Sequence, residues 1–301
     1  MEQQIRRLGA GPVHYRRWGE GERALVLLHG LASNGTRWSE LVRTSGLAQH
    51  WTVLVPDLRG YGLSLCREIL RCEDWLDDLE AMLDQEGFTD CVVGGHCLGA
   101  NLAARFALRA PERVRGLILV EPLVVPAMTG PLAWLARLRG LLEPLARGVL
   151  AANRLGLRRR RLPVLDLEEI DRGTRRKLAV GTDPGVFARR YGSPLRDLHH
   201  VPLSIYLQGL AQTLRPMPPW NEVGSPSLVI LSFGSRFGEL GRLRRILGVL
   251  PDHVIIVLES EHWIHAEQPT ALRVHIETWL GMREAGRPVA PTAGPMAEET
   301  P

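Results

Sequence analysis

Hydrophobic residues along this chain gather in short unbroken runs that end on glycine, proline or an acid. Six such runs are "ALVLLHG" (24–30), "WTVLVPDLRGYG" (51–62), "CVVGG" (91–95), "VRGLILVEP" (114–122), "SLVILSF" (227–233) and "HVIIVLE" (253–259). A continuous Val/Ile/Leu run of this length, with no alternating polar face, suits a strand buried on both sides. Between the runs the period lengthens. "EDWLDDLEAMLDQEG" (73–87) carries acids in its first turn and a glycine stop, and "LGANLAARFALRAPERV" (98–114) reads as a second helix ended near Pro111. Further helices are expected around 239–249 and from about Glu267 to Leu280. Strand and helix alternate, which predicts an α/β fold with a mostly parallel, doubly wound sheet.

From 123 to 222 the alternation stops, and the chain reads as helical and irregular. The expected organisation is therefore a core of residues 1–122 and 223–282 with a helical cap or lid inserted at 123–222. After Met282 the chain turns rich in Pro, Ala, Gly and Glu, so 283–301 is expected to be a disordered tail. A length of 301 residues, 45% of them hydrophobic and 23% charged, suits one globular domain with an insertion. No internal repeat is visible. Cys66, Cys72, Cys91 and Cys97 form no C-x-x-C pair and no metal-ligand spacing with histidine, and "MEQQIRRLGAG" lacks an apolar signal core. Free thiols in a reducing cytoplasm are the simpler expectation, with no metal, no cofactor and no membrane span.

The chemistry concentrates in "VVGGHCLGANLA" (92–103), where Gly95, Cys97 and Gly99 form G-x-C-x-G between a strand and a helix. A residue at the tip of so tight a turn has strained backbone angles, and its neighbours two before and two after nearly touch. Glycine or alanine is expected at both. The turn exposes a nucleophile at a helix N-terminus, where the dipole lowers a thiol's pKa and stabilises an oxyanion. The alternative is a small buried cysteine beside packing glycines.

In this context the chain resembles the α/β-hydrolase superfamily from about residue 12 to 282. "LLHGLASNGTRW" (27–38) is similar to that family's His-Gly oxyanion loop, and "VPDLRGYGLS" (55–64) to the loop after its fourth strand. "GHCLGA" stands where the family has G-H-S-x-G-G, and "ESEHWIHAEQP" (259–269) resembles its catalytic-histidine segment, G-H-x-x-x-x-E-x-P. The resemblance implies Cys97 as nucleophile, His262 as base, and the backbone N–H groups of Leu31 and Leu98 as oxyanion hole. It also implies a structural role for His29 in holding the oxyanion loop, while His96 and His265 are weaker rivals of His262. Gly30, Trp134 and Trp263 are expected to contact substrate, and Tyr191, Tyr206 and Trp220 are further aromatic candidates.

The pattern departs from the family twice. Cysteine replaces serine, which is similar to dienelactone hydrolases and polyhydroxyalkanoate synthases and implies an acyl-cysteine intermediate. The loop after "SLVILSF" reads "GSRFGELG", with Ser235, Arg236 and Phe237 where the family has its aspartate. In a different branch, the haloalkane dehalogenases, the acid can sit at the end of the preceding core strand, and "LILVEPLVVPAM" (117–128) puts Glu121 there. Glu121 is the first candidate for the orienting acid and Glu239 the second. A bare Cys97–His262 dyad is a third arrangement, since a thiol with a reference pKa of about 8.5 needs less help than a hydroxyl. Dehalogenation does not carry over, because it needs an aspartate at the elbow.

The net charge of +4 is mild but unevenly spread. "PLAWLARLRGLLEPLARGVLAANRLGLRRRRLP" (131–163) sets Leu132, Leu135, Leu138, Leu142, Leu145 and Val149 at helical spacing and ends in Arg158–Arg161. This segment suits a lid whose apolar face lines an acyl pocket, an interfacial helix on an anionic membrane, a dock for an acidic carrier protein, or a plain amphipathic cap helix. Nucleic acid is not expected, for lack of aromatic interleaving or a recognised binding motif. The sequence thus points to an enzyme that hydrolyses or transfers the acyl group of a small ester, lactone or thioester. The competing expectation is a catalytically degenerate relative that binds a small molecule or a partner protein.

Overall fold

The six apolar runs become the parallel strands of one sheet in the computed structural model, which describes residues 3–159, 161–179, 186–217 and 219–285. The strands are β1 (Gln4–Arg7), β2 (His14–Trp18), β3 (Arg23–Leu28), β4 (Trp51–Pro56), β5 (Cys91–His96), β6 (Val114–Val120), β7 (Ser227–Ser232) and β8 (His253–Leu258). Their order is β1-β2-β4-β3-β5-β6-β7-β8. From β4 to β8 every pairing is parallel, while β1 and β2 join antiparallel at one edge. This is the mostly parallel, doubly wound sheet expected from the alternation, in the α/β-hydrolase arrangement that the resemblance implies.

The unbroken apolar runs are explained by cover on both faces. One row of strand residues, including Val26, Leu28, Val93, Leu117, Leu119 and Val229, packs on the helices Cys72–Gln85 and Leu98–Arg109. The alternate row, including Leu25, Leu27, Val53, Val92, Ile118 and Ile230, packs on Trp38, Leu41, Ile276 and Trp279. Two oily faces leave no polar side to the central strands.

Several boundaries differ from expectation. The N-terminal hairpin β1–β2 is an addition. Its arginine-rich "HYRRW" hides the strand pattern because Arg16 is buried against Asp57 at 2.6 Å, a pairing no local pattern reveals. The elbow helix stops at Arg109, and Pro111–Arg113 makes a short turn before β6. The last helix spans Pro269–Glu284, so it runs past Met282 into the segment expected to be tail, while 286–301 lies outside the described residues. Between β6 and β7 the described residues form helices, among them Gly130–Arg137, Leu142–Arg154, Leu167–Ala179 and Leu203–Thr213. No helix of the described residues is long and apolar enough to cross a membrane.

Candidate active site

The carboxyl ends of β3, β5, β6 and β8 converge on one crevice, the usual place for a ligand in an open parallel sheet. β5 delivers Cys97 on the expected turn, with φ 55 and ψ −114, and Leu98 opens the helix behind it. The Cys97 N–H donates to Val120 O on β6 at 3.0 Å. The flanking glycines are more constrained than expected. A Cβ on Gly95 would lie 2.2 Å from the Gly99 carbonyl carbon, and one on Gly99 would lie 2.4 Å from Leu28 O. Alanine therefore does not fit at either position without backbone movement.

β3 delivers the loop beside the thiol. A Cβ on Gly30 would meet the Cys97 Cβ at 3.2 Å, so the absence of a side chain there lets the loop approach. His29 has no solvent exposure; its Nδ1–H donates to Gly30 O at 2.8 Å and its Nε2 accepts the Leu58 N–H at 2.9 Å. Burial pushes its pKa down to about 4, so it stays a neutral clamp between the β3 and β4 loops.

β6 and β8 supply a carboxylate and an imidazole. His262 Nδ1–H donates to Glu121 Oε2 at 3.0 Å, and Glu121 Oε1 accepts the Ser232 N–H at 2.6 Å. Glu121 sits just past the strand end with φ 48, a left-handed backbone that turns its side chain toward β7 and β8. Cys97 lies beside His262, close enough to act on the proton affinity of the ring. Burial acts to lower the His262 pKa, but the hydrogen bonds and negative charge of Cys97 and Glu121 outweigh it and carry the group up to about 9. Glu239, the second candidate acid, is occupied elsewhere. Its carboxylate caps the helix Leu240–Leu247, accepting from Gly241 N at 2.7 Å and Arg242 N at 3.0 Å.

The two rival histidines lie behind His262. His96 Nε2–H donates to His262 O at 2.9 Å, and the His265 ring stands edge-on to His96 at 4.3 Å and to Trp38 at 4.8 Å. Burial, with neighbouring charge adding to it, holds both well below the ordinary imidazole range. Glu267, the glutamate of the family-like segment, clamps the histidine loop by accepting from Glu261 N at 2.7 Å and Trp263 N at 3.1 Å.

These groups open on a cavity of about 330 Å³ lined by Gly30, Leu31, His96, Cys97, His262 and Trp263 on the sheet side. Its far wall includes Leu165, Tyr191, Asp197 and His200 from the segment between β6 and β7. A larger cavity of about 610 Å³, between the helices Leu167–Ala179 and Val186–Tyr191, contains neither Cys97 nor His262. Trp134 is not a lining residue. It is 61% exposed on the helix Gly130–Arg137, because Leu132 and Leu135 turn inward to the apolar cluster at Cys97 and point Trp134 away. Trp220 is buried in the main core, and Tyr206 does not line the cavity.

Sequence reasoning missed two features of this wall. Arg37 is buried against Asp171, with its Nη1 2.5 and 2.7 Å from the two carboxylate oxygens, and lies 4.6 Å over the Tyr191 ring. Tyr191 donates its hydroxyl to the same Asp171. Asp197 faces the cavity with its pKa pushed up to about 7 by burial, against the pull of Arg37. No local pattern marks either. They become visible only when segments more than a hundred residues apart are brought together.

Residues 23–269 match the model of the alpha/beta hydrolase fold family. Among curated proteins, an uncharacterized protein of Mycobacterium tuberculosis is 36% identical over 33% of this chain and 28% of its own length. The pimeloyl-[acyl-carrier protein] methyl ester esterase of Proteus mirabilis is 33% identical over 36% of this chain and 40% of its own. The chain thus spans well under half the length of these relatives. Among solved structures, a thermophilic esterase from Thermogutta terrifontis aligns with a TM-score of 0.65 at 21% identity, covering 93% of this chain and 98% of the other.

Proposed function

The chain belongs to the alpha/beta hydrolase fold family, and from that premise we propose that it is an acyl hydrolase acting on a small ester or thioester through an acyl-cysteine. The observation that carries this reading is the buried His262–Glu121 hydrogen bond at the floor of the 330 Å³ cavity, with Cys97 beside His262 in the same lining. A thiol, a base and an orienting acid in line are the parts that covalent acyl transfer requires.

In this mechanism His262 Nε2 already holds the proton given up by Cys97, and Cys97 Sγ attacks the substrate carbonyl carbon as the thiolate. Glu121 holds the ring by accepting from Nδ1–H and stabilises the imidazolium. The carbonyl oxygen becomes an oxyanion that accepts from the Leu31 and Leu98 N–H groups. Such preorganised donors supply about 3 kcal/mol of barrier lowering each. Collapse expels the alcohol or thiol, which takes its proton from His262 and leaves a thioester on Cys97. Water, deprotonated by His262, then attacks that thioester and releases the acid and the free thiol. Glu121 replaces the missing aspartate of the β7 loop. His262 can hold its proton at neutral pH, which suits it to protonate the leaving group.

The test is intact mass on protein treated with short- and medium-chain p-nitrophenyl esters and acyl thioesters. An adduct that is lost in Cys97→Ala, and that decays in water with release of acid, supports the reading. Turnover unchanged in Cys97→Ala overturns it. Ligand binding without turnover or adduct favours the degenerate binding protein instead. Decay that requires an added amine or thiol makes the enzyme a transferase.

A further inference from the structure

The helix Leu142–Arg154 has two apolar sides, and the fold uses one. Leu142, Ala146 and Leu150 are buried; Leu142 and Ala146 share an apolar cluster with Leu207, Ala211, Leu214 and Cys97. On the opposite side Leu141, Leu145, Gly148, Ala152 and Leu155 follow at three- and four-residue steps, which places them on one stripe. Along that stripe Leu141 is 65%, Leu145 56% and Leu155 83% exposed, and Trp134 is exposed on the preceding helix. Three exposed leucines along one stripe, with an exposed tryptophan on the preceding helix, are not the scattered apolar residues of an ordinary surface.

The charge around the stripe is one-sided. Residues 130–162 contain eight arginines and one acid, Glu143. Arg147 and Arg154, seven residues apart, run along one flank of the stripe, and Arg137 and Arg158 are exposed near its two ends. None of these four forms an ion pair among the described residues. The Arg158–Arg161 run marked by the sequence is only in part available: Arg159 donates to Leu198 O at 2.8 Å, and Arg160 lies outside the described residues.

We propose that the outer face of the helix Leu142–Arg154, with Trp134 and Leu155 at its margins, docks on an anionic lipid bilayer. A bilayer surface offers both things the face lacks, an apolar layer for the leucines and a plane of negative headgroups for the flanking arginines. Tryptophan at the margin suits the headgroup boundary. An acidic protein would satisfy the arginines but gives no reason for leucines exposed in the helix, at Leu145, and at both of its caps, Leu141 and Leu155. Docking in this orientation brings the cluster that contains Cys97 within about one helix diameter, roughly 10 Å, of the lipid. Since no helix of the described residues can span a membrane, the attachment is peripheral.

The experiment is co-sedimentation of the full chain with vesicles of phosphatidylcholine alone or mixed with phosphatidylglycerol. Binding to the mixed vesicles, weakened by high salt and near background on pure phosphatidylcholine, is expected. Leu145→Gln with Leu155→Gln, and separately Arg147→Gln with Arg154→Gln, should each reduce the partition coefficient about tenfold or more. Both pairs are solvent-facing, so circular dichroism and ester turnover in detergent-free buffer should stay as in the wild type. No binding to mixed vesicles, or binding indifferent to the leucine pair, overturns the proposal. So does a dimer in light scattering that the leucine pair dissolves, or saturable binding of a purified acidic carrier protein in the absence of vesicle binding.

Discussion

The carboxyl edge of the sheet and the helical segment that faces it build one cavity by opposite means. At the sheet edge, position is set by backbone against backbone. Gly95 and Gly99 leave no space for a methyl group, His29 is clamped at both ring nitrogens, and Glu121 is anchored by the Ser232 N–H. Across the cavity, the helix Leu167–Ala179 is held to the loop after β3 by side chains. Arg37 meets Asp171, Arg175 meets Glu40 at 2.5 Å, and Asn34 Nδ2 donates to Leu165 O at 2.8 Å. Close-packed backbone admits one geometry, whereas a wall held by side-chain pairs can change its residues without disturbing the reacting atoms. On the function proposed above, the chemistry belongs to the edge and the choice of substrate to the wall.

The largest effect should come from Gly99→Ala. Its new methyl would stand 2.4 Å from Leu28 O and 2.6 Å from His29 O, both backbone atoms of β3 and the adjoining loop. Neither can yield without moving the strand, so we expect a loss of about 3 kcal/mol or more in urea unfolding, with turnover abolished. An unchanged urea midpoint would break the claim that the edge is rigid.

Asp171→Asn tests the wall. It leaves the Arg37 guanidinium, 7% exposed, without its counter-charge. Breaking a buried pair in this way costs about 3 kcal/mol. The comparison becomes sharper if the damage is local. Hydrogen exchange should quicken across 165–179, while β3, β5 and β6 keep their protection. Equal loss of protection in those strands would mean that wall and edge form one cooperative unit.

The sequence made the edge legible and left most of the wall unread, and the reason is range. Cys97, Glu121 and His262 follow apolar runs in segments that the family resemblance covers, and parallel strands bring such ends together. The reach of Glu121 to His262 needed one fact that is not local, the left-handed backbone at Glu121. The wall depends on contacts such as Arg37 with Asp171, separated by 134 residues, and carries no periodic signal. Trp134 was misplaced for a related reason: helical spacing shows which residues share a face, but not which face the rest of the chain covers. Glu267 stands at the glutamate of the family-like histidine segment, but its task as a loop clamp shows only in its hydrogen bonds.

A pH series separates two histidines of the edge. His262 is raised to about 9 in the folded chain from an ordinary 6.5, so folding is favoured by its bound proton. That contribution is complete below pH 6.5 and is lost as pH rises through about 9, and amounts to about 3 kcal/mol at most. His29 is lowered to about 4, so its contribution is present above pH 6.5 and is lost as pH falls toward 4. Urea midpoints should therefore decline on both sides of pH 6.5. Glu121→Gln should flatten the alkaline decline and leave the acid one. If it changes both equally, the coupling of His262 to Glu121 is not the cause.

The smallest effect should be favourable. Gly148 lies inside the helix Leu142–Arg154, with nothing within 4 Å of an added Cβ, in contrast to the crowding at Gly99. Glycine in a helix interior costs roughly 0.5–1 kcal/mol relative to alanine, so Gly148→Ala should stabilise the chain by about that amount. In a domain of this size the melting temperature should rise by roughly 1–4 °C. The same methyl also adds apolar surface to the exposed stripe, so vesicle binding should hold or strengthen. If Gly148→Ala destabilises the protein instead, something covers that face in solution. A second copy would be the first suspect, and light scattering of the variant against the wild type would reveal it.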